Sequence, residues 1–238
     1  MPLTVDHIDY AYNFQKQVLH DVSLSISGNR IMGLIGPNGS GKSTLIKVIL
    51  DLLQMQGGSV HINGHRNSSR SAKMSAMYLS SNDYLPEFLT GEEYLRFLHG
   101  LYTEPLDLKV LGHHFDRYSM SGRHRDLIED YSHGMRKKLQ LIAAFMLERR
   151  LTVIDETLNG VDIESVKIFE KDVRNLASDG RSVLLCSHDF NVLENVADDI
   201  AVLIQGALVF QGGLGSVNKD YGNLSALASE YIQSMEVE

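Results

Sequence analysis

The stretch Gly36-Pro37-Asn38-Gly39-Ser40-Gly41-Lys42-Ser43, followed by Thr44, is the most informative part of the sequence. It satisfies the pattern G-x-x-x-x-G-K-[ST], in which backbone N–H groups curl around a phosphate. Glycines are needed there because a side chain would obstruct the close approach of the backbone to the phosphate. Lys42 would bring a mobile positive charge to the β- and γ-phosphates, and Ser43 a hydroxyl for Mg²⁺. The stretch therefore predicts a nucleotide-phosphate site.

The segments on both sides of this loop indicate an α/β fold. An apolar run over residues 31–35 precedes the loop and a helical stretch over 43–53 follows it, and strand, loop and helix in this order begin an α/β unit. Other segments of strand-like pattern lie at 3–12, 18–26, 57–63, 151–154, 182–185, 200–204 and 207–210. Because the strands after residue 150 alternate with a helical stretch, we expect a buried parallel sheet.

The middle of the chain has a different pattern. Between about residues 85 and 150 the apolar residues recur at helical spacings, as in Tyr94, Leu95, Leu98 and Leu101, which predicts a helical insertion into the sheet. We therefore expect a single domain over residues 1–238. Its core is formed by 1–81 and 150–213, with a helical subdomain at 82–149 and a C-terminal extension at 214–238.

Composition and charge exclude several classes of protein. With 22 Lys and Arg against 30 Asp and Glu, the net charge is −8, which argues against a general nucleic-acid-binding protein. The single cysteine, Cys186, excludes an intrachain disulfide and a cysteine-based zinc cage. No apolar run approaches the ~18 residues of a membrane span, and residues 1–7 do not read as a secretory signal. We therefore expect a soluble, cytoplasmic chain.

Two carboxylates and a histidine follow predicted strands. Asp155 and Glu156 end an apolar strand, where the first would orient a magnesium-bound water and the second would polarise the water that attacks a γ-phosphate. Taken alone, such an acidic end is also typical of a strand that enters a solvated turn. His188 follows the apolar run 182–185 at the carboxyl edge of the predicted sheet, where α/β proteins bind ligands.

The order of these motifs resembles the nucleotide-binding domain of ABC ATPases. The phosphate loop, the helical middle region, the stretch Tyr131-Ser132-His133-Gly134-Met135, the pair Asp155-Glu156, Asp162 and His188 follow one another as in that family, over about residues 3–213. The resemblance implies a P-loop NTPase fold with an ABC-type RecA-like core, a small antiparallel β region and a helical subdomain. It also implies binding and hydrolysis of ATP with Mg²⁺.

The resemblance assigns roles to individual residues around one ATP molecule. Tyr12 matches the aromatic residue that stacks on adenine, and residues 36–44 match the loop that binds the phosphates. Asp155 matches the magnesium-associated acid, Glu156 the general base, and His188 the histidine that contacts the γ-phosphate.

Other matches imply a dimer that closes around two ATP molecules. Ser132 and Gly134 match the serine and glycine that contact ATP bound to the opposite subunit, and Asp162 matches the loop that links the two sites. The helix after Ser132 would aim the positive end of its dipole at the γ-phosphate. The partner would be a second copy of this chain or a related ATPase.

The sequence departs from the family pattern at several positions. The glutamine that contacts Mg²⁺ in the family is missing, and Ser81 aligns best with it. His133 and Met135 replace a glycine and a glutamine, and Thr157 replaces a proline. None of these changes removes a catalytic group. The basic run at 136–138 reads most simply as a solvated helix face.

The resemblance implies that the ATPase powers a membrane ABC transporter, with an exporter of drugs or peptides favoured by residues 131–135. The permease would be a separate transmembrane subunit, and this chain would lie at the cytoplasmic face of the membrane. One alternative is a soluble ABC-type clamp or regulator. A second alternative, a P-loop phosphotransferase, does not explain the presence of Ser132, Gly134 and Asp162. A third alternative is a nucleotide sensor that does not hydrolyse ATP, and Ser81 in place of the glutamine is compatible with it.

Overall fold

The computed structural model describes residues 1–12 and 17–235, so the last three residues of the predicted C-terminal extension lie outside the described residues. The strands within the described residues are β1 (Leu3–Ala11), β2 (Gln17–Ile26), β3 (Ile31–Ile35), β4 (Gly57–Ile62), β5 (His65–Arg66), β6 (Ala76–Leu79), β7 (Leu151–Asp155), β8 (Ser182–Cys186), β9 (Asp199–Ile204) and β10 (Ala207–Gly213).

Helices in the same residues separate many of these strands. They are α1 (Lys42–Ile49), α2 (Arg70–Ser75), α3 (Gly91–Leu101), α4 (Leu108–Arg117), α5 (His133–Leu147), α6 (Ile163–Leu176), α7 (Phe190–Val196), α8 (Leu214–Asp220) and α9 (Leu224–Met235). Local sequence explains several of the helix starts. At α3, for example, Thr90 and Glu93 form a reciprocal capping box.

The described strands form two sheets. The smaller sheet is antiparallel, in the order β2-β1-β4-β5, and the larger one has the order β10-β9-β3-β8-β7-β6. Strands β3, β6, β7, β8 and β9 of the larger sheet pair in parallel, and β10 pairs antiparallel to β9. This arrangement confirms the predicted α/β fold and its buried parallel sheet.

The parallel register brings the ends of three central strands to one level. Leu34 of β3 pairs with Cys186 of β8, which on its other side pairs with Asp155 of β7. The segments that follow these three residues therefore leave the sheet at the same edge. These segments are the phosphate-type loop, the acidic pair and the region of His188.

The two faces of the larger sheet bury separate apolar cores. Met32 and Leu34 pack with α1 and the antiparallel sheet on one face. Ile31 and Ile35 pack with α5, α6 and α7 on the other face. Such strands are buried on both sides, which explains why their sequences are continuously apolar rather than alternating.

Two segments differ from the sequence-based expectation. The helix predicted over 43–53 ends at Ile49, because Asp51 adopts a positive φ of 59° and the N–H of Leu52 bonds back to the Lys47 carbonyl. The middle region contains helices α3, α4 and α5, as predicted, and residues 137–145 of α5 are buried on every side. A helix buried all round is typical of a protein interior.

A buried asparagine holds the C-terminal end of α1, the helix that begins in the phosphate-type loop. Asn67 is 1% exposed, and its Nδ2 donates to the carbonyls of Val48 at 2.9 Å and Ile49 at 3.3 Å. These carbonyls lie in the last turn of the helix, where the Val48 carbonyl also accepts the Asp51 N–H at 3.1 Å and the Ile49 carbonyl has no intrahelical donor among the described residues.

Asn67→Ala would remove one of two donors to the Val48 carbonyl and leave the Ile49 carbonyl unsatisfied, so we expect the free energy of unfolding to fall by about 1–3 kcal/mol. Urea denaturation followed by circular dichroism measures this loss. The exposed Asn175 in α6 gives a matched control, because its side chain makes no hydrogen bond to any residue that the structure describes. Asn175→Ala should therefore stay within about 0.5 kcal/mol of the wild type. Equal stabilities of both variants would contradict the role of Asn67.

Candidate functional site

Glycine is required at the start of the loop that follows β3. A Cβ atom at Gly36 would collide with the backbone carbonyl oxygen of Leu203 in the neighbouring strand β9. At the other end of the loop, Gly41 has a φ of 103° and directly precedes α1. The loop therefore lies close against the sheet, and the positive end of the α1 dipole points towards it.

Lys42 lies at the centre of this loop. Its side chain is 6% exposed, and its Nζ donates to the carbonyls of Gly36 at 2.8 Å and Pro37 at 3.1 Å. The described residues give this ammonium no carboxylate partner within salt-bridge distance. A buried cation without a counter-charge favours an anionic ligand, because pairing offsets the cost of its burial.

The loop residues form the wall of an open depression that also includes Glu156. Its lining comprises Val18, Asn38, Gly39, Gly41, Lys42, Ser43, Thr44 and Glu156. Tyr12 stands beside the loop, since its hydroxyl lies 3.1 Å from Thr44 Oγ1 and its ring packs edge-on against Tyr10. Tyr12 is 53% exposed, so part of its ring is accessible for stacking.

Asp155 is a buried carboxyl group with one unused oxygen. The hydroxyl of Tyr78 donates to Oδ2 at 3.4 Å, whereas Oδ1 has no hydrogen-bond partner in the described residues. Burial raises the pKa of Asp155, the Glu156 carboxylate raises it further, and the Ser43 and Tyr78 hydroxyls and the Cys186 thiol lower it. The group would gain from a bound cation, which favours its ionised form.

Glu156 faces the loop from the end of β7. Its backbone has a positive φ of 52°, which is uncommon for glutamate, and its N–H donates to the carbonyl of Cys186 at 2.9 Å. His188 Nε2 lies 2.7 Å from Glu156 Oε1, so that this nitrogen carries the proton of the hydrogen bond. The structure thus joins the predicted base and the predicted histidine directly.

Ser132, Gly134 and Asp162 form a second group at the start of α5 and α6. Ser132 caps α5 by accepting the Met135 N–H at 3.3 Å. A Cβ atom at Gly134 would lie 2.9 Å from the carbonyl oxygen of Gly160, which precedes Asp162. Among the described residues no hydrogen bond or ion pair joins this group to Lys42, Asp155 or Glu156.

The Asp162 carboxylate makes a hydrogen bond and an ion pair within its own chain. Its carboxylate accepts the Ser165 N–H at 2.9 Å, capping α6, and forms an ion pair with Lys138 of α5 at 2.7 Å. This pair connects the two helix starts that carry the second group of candidate residues.

Ser81 lies in the segment that follows β6, and its hydroxyl makes no hydrogen bond in the described part of the chain. Its backbone carbonyl accepts a hydrogen bond from Lys137 Nζ of α5. Thr157, which replaces the family's proline, is fully buried, and its hydroxyl donates to the carbonyl of Leu79 at 3.2 Å. Thr157 thus links the residues after β7 to the end of β6, whereas Ser81 is bonded to α5.

The expectation of a solvated face at 136–138 was wrong. Lys137 is 1% exposed and Lys138 is 8% exposed. Lys137 donates to backbone carbonyls, and Lys138 pairs with Asp162 and donates to the carbonyl of Tyr118 at 3.0 Å. The three consecutive basic residues do not indicate in the sequence that two of them are buried, because this burial depends on the packing of α5 between the sheet and the helical region.

Sequence reasoning also missed Tyr78 and Cys186 as neighbours of the carboxylates. The potential ligand atoms of Asp155, Glu156 and Cys186 lie within 4.8 Å of one another. Burial raises the pKa of the Cys186 thiol, so the group stays protonated. Mg²⁺ prefers oxygen ligands, which favours Asp155 over Cys186 in this cluster.

A phosphate-type loop, a buried acid and a histidine-bonded glutamate at one sheet edge define a nucleotide-binding protein of the P-loop class. A family model described as ABC transporter matches residues 19–159. The chain belongs to that family.

Individual relatives agree with this assignment. The chain is 32% identical over 197 residues to the uncharacterised ABC transporter ATP-binding protein YdbJ of Bacillus subtilis (strain 168), covering 81% of this chain and 63% of YdbJ. It is 27% identical over 225 residues to the daunorubicin resistance ATP-binding protein DrrA3 of Streptomyces coeruleorubidus, covering 92% of this chain and 71% of DrrA3.

A solved structure of an ATP binding subunit of an ABC transporter superimposes with a TM-score of 0.89 at 27% identity, covering 98% of this chain and 99% of the other. The chain matches less than two thirds of the length of YdbJ. Within the described residues, no helix combines the length and the apolar character that crossing a bilayer requires.

The ion pair of Asp162 makes its contribution to stability dependent on pH. Burial alone would raise the pKa of Asp162, but Lys138 and the N–H and hydroxyl of Ser165 lower it to about 2. Since the unfolded value is about 3.9, the carboxylate stabilises the fold above that pH. The contribution is lost as the pH falls from about 4 towards 2.

Asp162→Asn retains a helix cap and removes the charge. We expect it to lower the free energy of unfolding by at most about 1 kcal/mol at pH 7, because half of the Asp162 side chain is exposed and solvent screens the pair. The difference from the wild type should persist at pH 5 and shrink at pH 3, as measured by urea denaturation. A difference that grows towards pH 3 would contradict this assignment.

Proposed function

We propose that this chain binds and hydrolyses ATP and thereby powers a membrane ABC transporter. The observation that supports this most strongly is the convergence of Lys42, Asp155 and Glu156 at one sheet edge, with Glu156 facing the loop and bonded to His188. The ATP-binding proteins among its relatives support the same function.

ATP would bind with its phosphates in the loop formed by residues 36–44. The loop N–H groups and the α1 dipole would hold the β-phosphate, while Lys42 exchanges its bonds to the Gly36 and Pro37 carbonyls for phosphate oxygens. Tyr12 would stack on the adenine ring. The loop at 36–44 would thus act mainly by placing charge and N–H donors around the phosphates.

Glu156 would act as the general base. One of its carboxylate oxygens bonds His188, and the other would accept the proton of the water that attacks the γ-phosphate. In this role His188 orients the base and, once ATP is present, would contact the γ-phosphate. Both residues would thus act on the same phosphate.

The donor set fits Mg²⁺, because Asp155 presents a buried carboxylate oxygen that has no hydrogen-bond partner among the described residues, and Ser43 presents an exposed hydroxyl at the start of α1. Asp155 and Ser43 would hold the ion directly or through water, with Ser81 as a further oxygen ligand from the segment after β6. The bound ion would supply neutralisation of the charge on the β- and γ-phosphates.

A head-to-tail dimer would complete the site. Among the described residues no hydrogen bond joins Ser132 or Gly134 to the phosphate loop of their own chain, and Ser132 is exposed at the N-terminus of α5. They would contact ATP bound to the opposite subunit, and Asp162 would link the two sites. The second subunit would be another copy of this chain or a related ATPase.

The transport role requires a separate permease with membrane-spanning segments. The name of DrrA3 refers to daunorubicin resistance, and this supports an exporter. The chain would bind the permease at the cytoplasmic face through its helical subdomain at 82–149. The core at 1–81 and 150–213 would hold ATP, and 214–238 would be an extension of the same domain. No nucleic acid would be involved.

Glu156→Gln tests the assignment of the general base. The variant should bind ATP with unchanged affinity, because the amide keeps the shape of the side chain, but its turnover should fall by about 10²–10⁴-fold. Phosphate release and equilibrium nucleotide binding measure the two quantities. Glu104→Gln, which changes a remote carboxylate paired with Arg149, should retain wild-type turnover. Wild-type turnover in Glu156→Gln would contradict the assignment.

Purification of the tagged chain from detergent-solubilised membranes tests the transport role. We expect a multi-span membrane protein in stoichiometric amount, identified by mass spectrometry, and a loss of ATP-stimulated transport when Glu156→Gln replaces the wild type. Recovery of soluble partners alone, with nothing retained at the membrane, would overturn the transport role and favour a soluble clamp.

A further inference from the structure

Lys137 is a buried cation that the mechanism above does not use. It lies in the second turn of α5, with 1% of its surface exposed. Its Nζ donates to the backbone carbonyls of Ser80, at 3.4 Å, and of Ser81. Both carbonyls belong to the segment that directly follows β6, which is the segment where the family's glutamine is missing.

This ammonium has no carboxylate within salt-bridge distance in the described residues. Burial lowers the pKa of Lys137, while the negative charges of Asp83 and Asp155 raise it. The amine therefore lies within the electrostatic reach of the buried acid that we assign to Mg²⁺. A buried ammonium carries a desolvation cost that an apolar side chain of similar volume avoids, so stability alone is a poor explanation for this lysine.

Further donors hold the same short segment. Gln140, one turn after Lys137 on α5, donates from Nε2 to the carbonyl of Asn82 at 3.0 Å. From the opposite side the hydroxyl of Thr157 donates to the carbonyl of Leu79, the residue before this segment, and lies 3.4 Å from the Ser80 carbonyl. The segment 80–82 is therefore held between the helix that begins at Ser132 and the residue that follows Glu156.

We propose that Lys137 is a positioning residue for ATP hydrolysis, which holds segment 80–82 against the nucleotide site and ties it to the helix that presents Ser132. The link consists of the Lys137 ammonium and the backbone carbonyls of Ser80 and Ser81. The inference rests on the proposed ATPase function. It adds a connection between the γ-phosphate end of the site and the residues that would face the partner subunit.

Lys137→Met removes the ammonium and keeps the length of the side chain. We expect kcat for ATP to fall at least about tenfold, because small displacements of reacting groups are costly. KM for ATP should stay within about twofold of the wild type, because Lys137 does not bind the phosphates. The melting temperature should fall by no more than in a variant that loses one buried hydrogen bond, because removal of the buried charge offsets the loss of the donor to the Ser80 and Ser81 carbonyls.

Tyr102→Phe is the matched control. The Tyr102 hydroxyl also donates to a backbone carbonyl of β6, that of Ala76 at 2.8 Å, but at the end of the strand remote from segment 80–82. Tyr102→Phe should lower the melting temperature, because it removes this hydrogen bond, and should leave kcat unchanged. A merely structural role for Lys137 would make the two variants alike, with a lower melting temperature and an unchanged kcat, and this result would overturn the proposal.

Gln140→Leu provides a second, independent variant, which decides the question if Lys137→Met does not fold. It removes the other α5 donor to the same segment, so kcat should fall in the same direction with KM unchanged, and an unchanged kcat would overturn the proposal. Absence of turnover in the wild type would overturn the ATPase function and this inference with it. Turnover that is equal in the wild type and in Lys137→Met would overturn the inference alone.

Discussion

Parallel pairing of buried strands is the constraint on which the candidate site depends. Because Leu34, Cys186 and Asp155 stand at one level of the sheet, the chain leaves β3, β7 and β8 at a common edge. The sheet is covered on both faces by apolar cores, which fixes the strands relative to one another. Charged groups that are expensive to bury, such as Lys42 and Asp155, are therefore placed at the same edge of the sheet.

Local patterns in the sequence predicted most of the elements that carry the site. The loop at 36–43 lies between an apolar strand and a helix, so its structure is determined by neighbouring residues, and the strands around it were apolar enough to recognise. The burial of Lys137 and Lys138 could not be predicted, because it depends on which elements pack around α5. The same is true of the bond between His188 and Glu156, which joins residues that follow two different strands.

The candidate residues fall into two groups that one chain does not bring together. The first surrounds Lys42 and Glu156, whereas the second lies at the starts of α5 and α6, where Lys138 and Asp162 form an ion pair. The dipole at an exposed helix N-terminus attracts anions, and α5 presents such an end next to Ser132. A subunit built in this way would offer one half of a site to its partner and receive the other half in return.

A structure of Glu156→Gln with ATP and Mg²⁺, determined by electron cryomicroscopy, tests the central claim most directly. We expect a dimer in which the phosphates of each ATP lie between Lys42 of one chain and Ser132 of the partner subunit, with Asp155 beside the bound ion. ATP held by a single chain, with its γ-phosphate open to solvent and Ser132 of the partner subunit without a nucleotide contact, would contradict it.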